Sequence, residues 1–382
     1  MAALAALLSL IAPIALPAKS NSRQPTSEPS EVERVRTDQW HLKYLKTSDA
    51  QEITRGRGVI VAVPDTGVQP HPDLRNNLLR GIDMVSDGNG DGQNDQNSHG
   101  TGMAGLIAAH GQGGNLGALG LAPDAKILPI RDTPTNGQGE ADALAAGIDY
   151  AVRQGADVIC IPSVGGAGIP LQRSIKAALA ANIVLVAAAG NKPEDTKVGY
   201  PASENAVIAV GGVDRNGNHA DISVTGPEID VVAPAVDIYS TSINGKYRKG
   251  TGTSDATAIV AGAAALIRSK YPYLPAQEVA HRLTATAIDK GPPGRDDEYG
   301  YGVIDLVAAL TADVPPLGFE SVSAPAGAGP TTTADARPGE GDDGATARGL
   351  ATLAVIVAAG VGWALVVRRR RRGDDPPPRI SR

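Results

Sequence analysis

The sequence has one cysteine, Cys160, one phenylalanine, and aromatic residues at only 3% of its 382 positions. A lone cysteine excludes an intrachain disulfide framework and leaves the redox compartment open. With Phe nearly absent, any core must be built from Ala, Val, Ile and Leu, and 46 Gly with 28 Pro imply many turns. Excess positive charge is also missing, since 35 Lys and Arg stand against 41 Asp and Glu. Seven of those arginines and two of those aspartates lie in the last fifteen residues. Without them the chain carries 28 basic and 39 acidic residues, a balance of -11. A general nucleic-acid binder needs a basic surface to meet phosphates, so that class is excluded. The length suffices for one large domain or two smaller ones.

The ends have little globular character. Residues 1–18 form an apolar run followed at once by polar residues 19–37, which reads as a secretory signal and an extension, although no early Lys or Arg precedes the run. Residues 349–367, GLATLAVIVAAGVGWALVV, carry no charge and would reach about 28 Å as a helix. Arg368 to Arg372 follow immediately. This pattern predicts a transmembrane helix in contact with the lipid bilayer, at the cell membrane and single-pass. The basic tail, 368–382, is then cytoplasmic and the main domain extracellular. The intervening 313–348, rich in Ala, Gly and Pro, reads as a flexible stalk.

Residues 38–312 have the pattern of one α/β domain. Short apolar runs at 58–65, 125–130, 156–163, 182–191 and 206–213 lack polar alternation, so they predict central strands of a mostly parallel sheet covered on both faces. Residues 139–154 and 170–181 have helical composition and crossover length. The expected fold is a three-layer α/β sandwich.

In such folds the carboxyl ends of the strands share a crevice, and polar residues there are the candidates for chemistry. Asp65-Thr66-Gly67 ends the first apolar run, His99-Gly100-Thr101-Gly102 opens a helix, and Gly252-Thr253-Ser254 opens another. Each alone has a bland explanation: a turn former, a residue near a cap, an N-cap. Together they supply a carboxylate to orient an imidazole, an imidazole to take a proton, and a hydroxyl to attack a carbonyl. Asn191 follows an apolar run and an Ala-Gly turn, where a neutral amide can face developing oxyanion charge without competing for the serine proton.

The motifs DTGVQPHPDL (65–74), SHGTGMAGLIAA (98–109), AAAGN (187–191) and GTSDATAIVAG (252–262) resemble those of subtilisin-like serine proteases, the subtilases of peptidase family S8, in the same Asp, His, Ser order. The layout of signal, domain, stalk, apolar segment and basic tail resembles the mycosins, subtilases associated with type VII secretion in actinobacteria. The resemblance implies a serine-type endopeptidase with Asp65, His99 and Ser254 as triad. It implies Asn191 and the Ser254 amide as oxyanion hole. Ser163, Val164, Gly165, Gly166, Ala188, Ala189 and Gly190 would be the substrate-binding wall for an extended polypeptide. It also implies a type VII secretion membrane complex as partner, which leaves a catalytically weak or inactive subtilase stabilising that complex as the alternative. An α/β-hydrolase esterase is disfavoured, because its G-x-S-x-G elbow and Ser, acid, His order are missing.

Three positions depart from the family. Asp255 follows the serine where an apolar or aromatic residue is usual, Ala258 replaces a proline, and Pro64 precedes the catalytic aspartate. Asp255 brings a negative charge beside the oxyanion region and is expected to affect activity or its pH dependence. No cofactor is required for this chemistry. Asp87, Asn89 and Asp91 match the first half of a calcium loop, but position 98 is Ser where a Glu would complete it, so a solvent-exposed Asn/Asp/Gly loop is the competing reading. His41, His71, His110, His219 and His281 show no metal-ligand spacing. Cys160, in an apolar run, is expected to be an inert buried thiol.

Overall fold

The computed structural model describes residues 29–85 and 90–318. Seven strands form a parallel sheet: β1 (Ile60–Asp65), β2 (Ile82–Asp83), β3 (Lys126–Arg131), β4 (Val158–Ile161), β5 (Val184–Ala188), β6 (Ile208–Val213) and β7 (Val231–Pro234). Their order is β2-β3-β1-β4-β5-β6-β7. The strands are Val, Ile and Ala on both faces and almost wholly buried, as expected of a sheet sandwiched between helices.

Helix α4 (His99–Ala108) packs on α7 (Thr253–Lys270), while α5 (Ala141–Arg153) packs on α6 (Ile169–Ala180). The chain steps from β1 outward to the edge strand β2, then returns through β3 and past β1 to β4 and β5. β1 therefore lies where the direction of winding reverses, and its carboxyl end opens into a crevice. The α/β sandwich with a mostly parallel sheet is the fold expected from the apolar runs.

The expected membrane span is corrected. Among the described residues no helix is long and apolar enough to cross a membrane, and residues 349–367 lie outside the described part. The longest described helix, α7, spends its apolar side chains on the protein core and carries Asp255, Arg268 and Lys270. Its hydrophobicity is that of a central helix, not of a bilayer span. The transmembrane helix, the lipid-bilayer contact, the single-pass cell-membrane location and the extracellular and cytoplasmic sides assigned from it all fall with that correction. The expected signal (1–18), most of the stalk and the basic tail also lie outside the described residues.

Three short helices precede the sheet: α1 (Glu31–Asp38), α2 (Trp40–Tyr44) and α3 (Thr47–Ile53). Ser30 and Glu33 form a capping box that starts α1. The helix lies against an antiparallel pair, β8 (Ile238–Thr241) and β9 (Tyr247–Gly250). No disulfide holds it. Val35 is buried, Arg36 donates to the Gly117 carbonyl at 3.1 Å, and the Gln39 amide bridges Leu119 and Tyr239. Trp40 donates to Val236 at 3.1 Å. Two last helices, α8 (Ala276–Ala285) and α9 (Leu306–Thr311), flank α7.

Candidate active site

Asp65 is the last residue of β1 and is 5% exposed. The preceding Pro64 costs no ladder bond. Asp132 N–H donates to the Asp65 carbonyl, so Asp65 faces β3 and Pro64 faces β4, where pairing already ends at Ala62 with Ile159. His99 opens α4, and its Nδ1 lies 2.9 and 2.8 Å from the two Asp65 carboxylate oxygens. With Nδ1 donating to the carboxylate, Nε2 is left as the basic nitrogen. Burial pulls the imidazole's proton affinity down, but the Asp65 charge and hydrogen bond outweigh it, and the pKa of His99 is raised above the ordinary histidine value.

Asp95 fastens the two motifs together. One carboxylate oxygen accepts from Thr66 Oγ1 and the Ser98 amide at 3.0 Å; the other accepts from the Thr101 amide at 3.0 Å and its hydroxyl at 2.6 Å. Thr66 in turn accepts from the Gly100 amide at 3.1 Å. The turn after β1 and the first turn of α4 are thus one hydrogen-bonded unit.

Ser254 is the second residue of α7 and is buried to 8% exposure. Its neighbour Thr253 ties it to the loop after β5: the Thr253 amide donates to Asn191 Oδ1 at 2.8 Å, and its hydroxyl reaches Gly190 and Asn191. Holding Oδ1 in this way leaves the Asn191 Nδ2 as a donor. A Cβ placed on Gly252 would lie 3.3 Å from Ser254 Oγ and 3.5 Å from Asn191 Nδ2, so hydroxyl and amide flank one small space that only glycine leaves open. Asp195 fixes the far side of the loop by accepting from the Asn191 amide at 2.8 Å. Ala258 is fully buried in an unbroken α7.

Of the expected substrate wall, Val164 and Gly165 line a cleft of about 680 Å³ with Asp195, Gly199 and Tyr200. Gly165 N–H donates to the Tyr200 carbonyl at 2.8 Å, while Ser163 and Gly166 are exposed beside it. Ala188, Ala189 and Gly190 are buried where β5 ends and lead directly into Asn191.

Of the candidate calcium ligands, Asp87 and Asn89 lie outside the described residues. The Asp91 carboxylate accepts from the Gln93 amide at 3.1 Å. Among the described residues no group of three or more His, Cys, Asp or Glu is placed to hold a metal ion. Cys160 is fully buried, and burial, helped by the Asp65 charge, pushes its thiol well up, as befits an unreactive core residue.

The sequence did not single out Asp95, Thr253 or Asp195 as site organisers, nor Asp132. The last is a second carboxylate beside Asp65 whose burial pushes its pKa up to about 8. Asp95 had a legible signal, an aspartate four residues before the helix-opening histidine. The others depend on which loops meet.

A carboxylate-imidazole pair, a helix-borne serine and a tethered amide are the equipment of a serine hydrolase. The subtilase family model matches residues 56–302, and the chain belongs to that family. It is a serine endopeptidase. Subtilisin DY of Bacillus licheniformis is 41% identical over 261 residues, 67% of this chain and 92% of the relative. The crystal structure of MycP1 from Mycobacterium smegmatis is similar with a TM-score of 0.66 at 28% identity, covering 78% of this chain and 91% of that one. The structure of the MycP3 protease from the type VII (ESX-3) secretion system gives a TM-score of 0.62 at 33% identity, over 72% and 88% of the two chains. The chain is structurally close to the mycosins.

Proposed function

We propose that the chain cleaves polypeptides through a Ser254 acyl-enzyme, with Asp65, His99 and Ser254 as triad. The observation that carries this reading is the Asp65 carboxylate against His99 Nδ1, with both oxygens within 2.9 Å. In the first half-reaction His99 Nε2 takes the Ser254 proton as Oγ adds to the scissile carbonyl. The imidazolium gives that proton to the leaving amine, and water repeats the sequence to release the acid. Asp65 holds the tautomer and supports the imidazolium charge.

Asn191 Nδ2 and the Ser254 amide serve as oxyanion donors. Being preorganised by Thr253, the amide side chain needs no rearrangement as charge develops. The substrate lies extended along Ser163 to Gly166, which offers main-chain groups to any sequence. Likeness to MycP1 and MycP3 supports association with a type VII secretion complex, whose secreted proteins are the substrate class.

Labelling with a fluorophosphonate probe beside a peptide-library digest tests this. Wild type should label and cleave, and Ser254→Ala should do neither. Equal labelling of both rejects Ser254 as nucleophile, and labelling without any peptide turnover favours the scaffold alternative.

A further inference from the structure

The residue after Ser254 is Asp255, and it is 1% exposed. Burying a carboxylate there costs several kcal/mol unless it is paired, and a residue needed only for packing would be apolar. Its partner comes from another element. Arg248, in the middle of β9, places a guanidinium nitrogen 3.3 Å from Asp255 Oδ1, while Oδ2 is buried with no hydrogen-bond partner.

Two glycines make room for this pair. A Cβ on Gly250 would come within 2.5 Å of the guanidinium and 2.6 Å of Oδ2, and one on Gly102, in the first turn of α4, within 2.5 Å of the guanidinium. The pair thus sits against the turn that carries His99. The charged groups facing Asp255 are Arg248 from β9, His99 from α4 and Asp65 from β1.

The consequence for the imidazole follows from sign. Arg248 opposes a proton on His99, and Asp255 favours one, with Arg248 the stronger of the two. Burial pushes the Asp255 carboxyl up, and the Arg248 and His99 charges draw it back toward ionisation.

We propose that Arg248 and Asp255 are positioning residues that act through His99: each, in the buried pair, offsets the other's effect on the pH at which the histidine becomes the working base. The inference rests on the Ser254 nucleophile reading. With both charges present their effects on the imidazole largely cancel, so the pair lets a carboxylate stand beside the nucleophile without overprotonating the base. Either charge alone unbalances it.

The test is the pH dependence of the second-order rate constant for fluorophosphonate labelling, which does not depend on how much of a variant is folded. It is run alongside kcat/KM for a peptide. Asp255→Asn should move the acidic limb down by about half a pH unit or more, because Arg248 then acts unopposed. Arg248→Met should move it up, by a similar amount while Asp255 stays ionised and by less where Asp255 then takes a proton. The double variant should fall between the two, close to wild type, and Arg248→Lys should restore the wild-type limb.

An acidic limb unchanged in both single variants, or displaced in the same direction in both, overturns the proposal. The Ser254→Ala control separates the two readings. If it is unlabelled while the limb stays fixed, only the pair's role is lost, whereas a labelled Ser254→Ala overturns the nucleophile itself.

Discussion

Asp65 and Asp132 stand at the ends of neighbouring parallel strands, β1 and β3, and are almost equally buried at 5% and 4% exposure. Burial therefore cannot explain how differently they are used. Asp65 receives the His99 ring and the Thr66 amide. Asp132 receives the Thr133 hydroxyl at 2.9 Å, which does not offset burial, and with the Asp65 charge adding to the effect its pKa is pushed up to about 8. The difference teaches that a strand-end carboxylate is fitted for the proposed catalytic role by the imidazole that meets it. Without such a donor the same group is a protonated or costly resident of the core.

The same substitution on the two strands should give opposite outcomes, which is the most direct way to break the comparison. Asp65→Asn should lower kcat by about 10⁴, since the amide favours the wrong histidine tautomer; steady-state kinetics at fixed pH checks this. A loss of tenfold or less would mean that the hydrogen bond is structural only.

Next in size is Asn191→Ala, which removes a donor and leaves the pair at Asp65 untouched. Oxyanion donors of this kind contribute about 10² to 10³ in kcat, a magnitude known from subtilisin, and KM should change little. An unchanged kcat would show that the Thr253 tether holds the amide for the fold and not for the reaction.

Asp132→Asn should stabilise the protein. A carboxyl raised from 3.8 to about 8 binds its proton more tightly when folded. Its contribution is therefore most favourable below the ordinary carboxylate range and is lost as pH rises toward 8. The variant should gain about 1–3 kcal/mol at pH 8 and nothing at pH 4 by denaturant titration, with turnover retained. Equal stability at both values would place a cation or water at Asp132.

The smallest effect is on the pH profile of the wild type. The raised His99 should put the acidic limb of kcat/KM above about 6.5, with activity growing as pH rises through it. A limb at or below that value would mean that burial outweighs the Asp65 charge.

Much of this site could be read along the chain because local rules govern it. Unbroken apolar runs gave the positions of β1, β3, β4, β5 and β6, and the polar residues closing or following them had to meet in one crevice. β2, with two residues, is too short to show a period. Arg248 was illegible for a different reason. Its partnership with Asp255 depends on how β9 returns to α7 and on two glycines far apart in sequence, so no spacing announces it. Asp132 sits one residue past a strand end, where its cost comes from burial and the nearby Asp65, neither of which a spacing announces. The apolar run at 349–367 lies outside the described residues, and its length and lack of charge are compositional features only. The helix that is long among the described residues is the core helix α7.

That helix has a consequence for anyone wishing to alter the enzyme. Thr253 to Arg268 are buried without a break, so the element presenting the proposed nucleophile is also the main beam of the domain. Diversity introduced there would be filtered by solubility before selectivity could be screened. A combinatorial library aimed at new cleavage preferences should instead randomise Ser163, Gly166, Glu194, Thr196 and Lys197, which are exposed, and leave Asp195 and the buried Val198 in place.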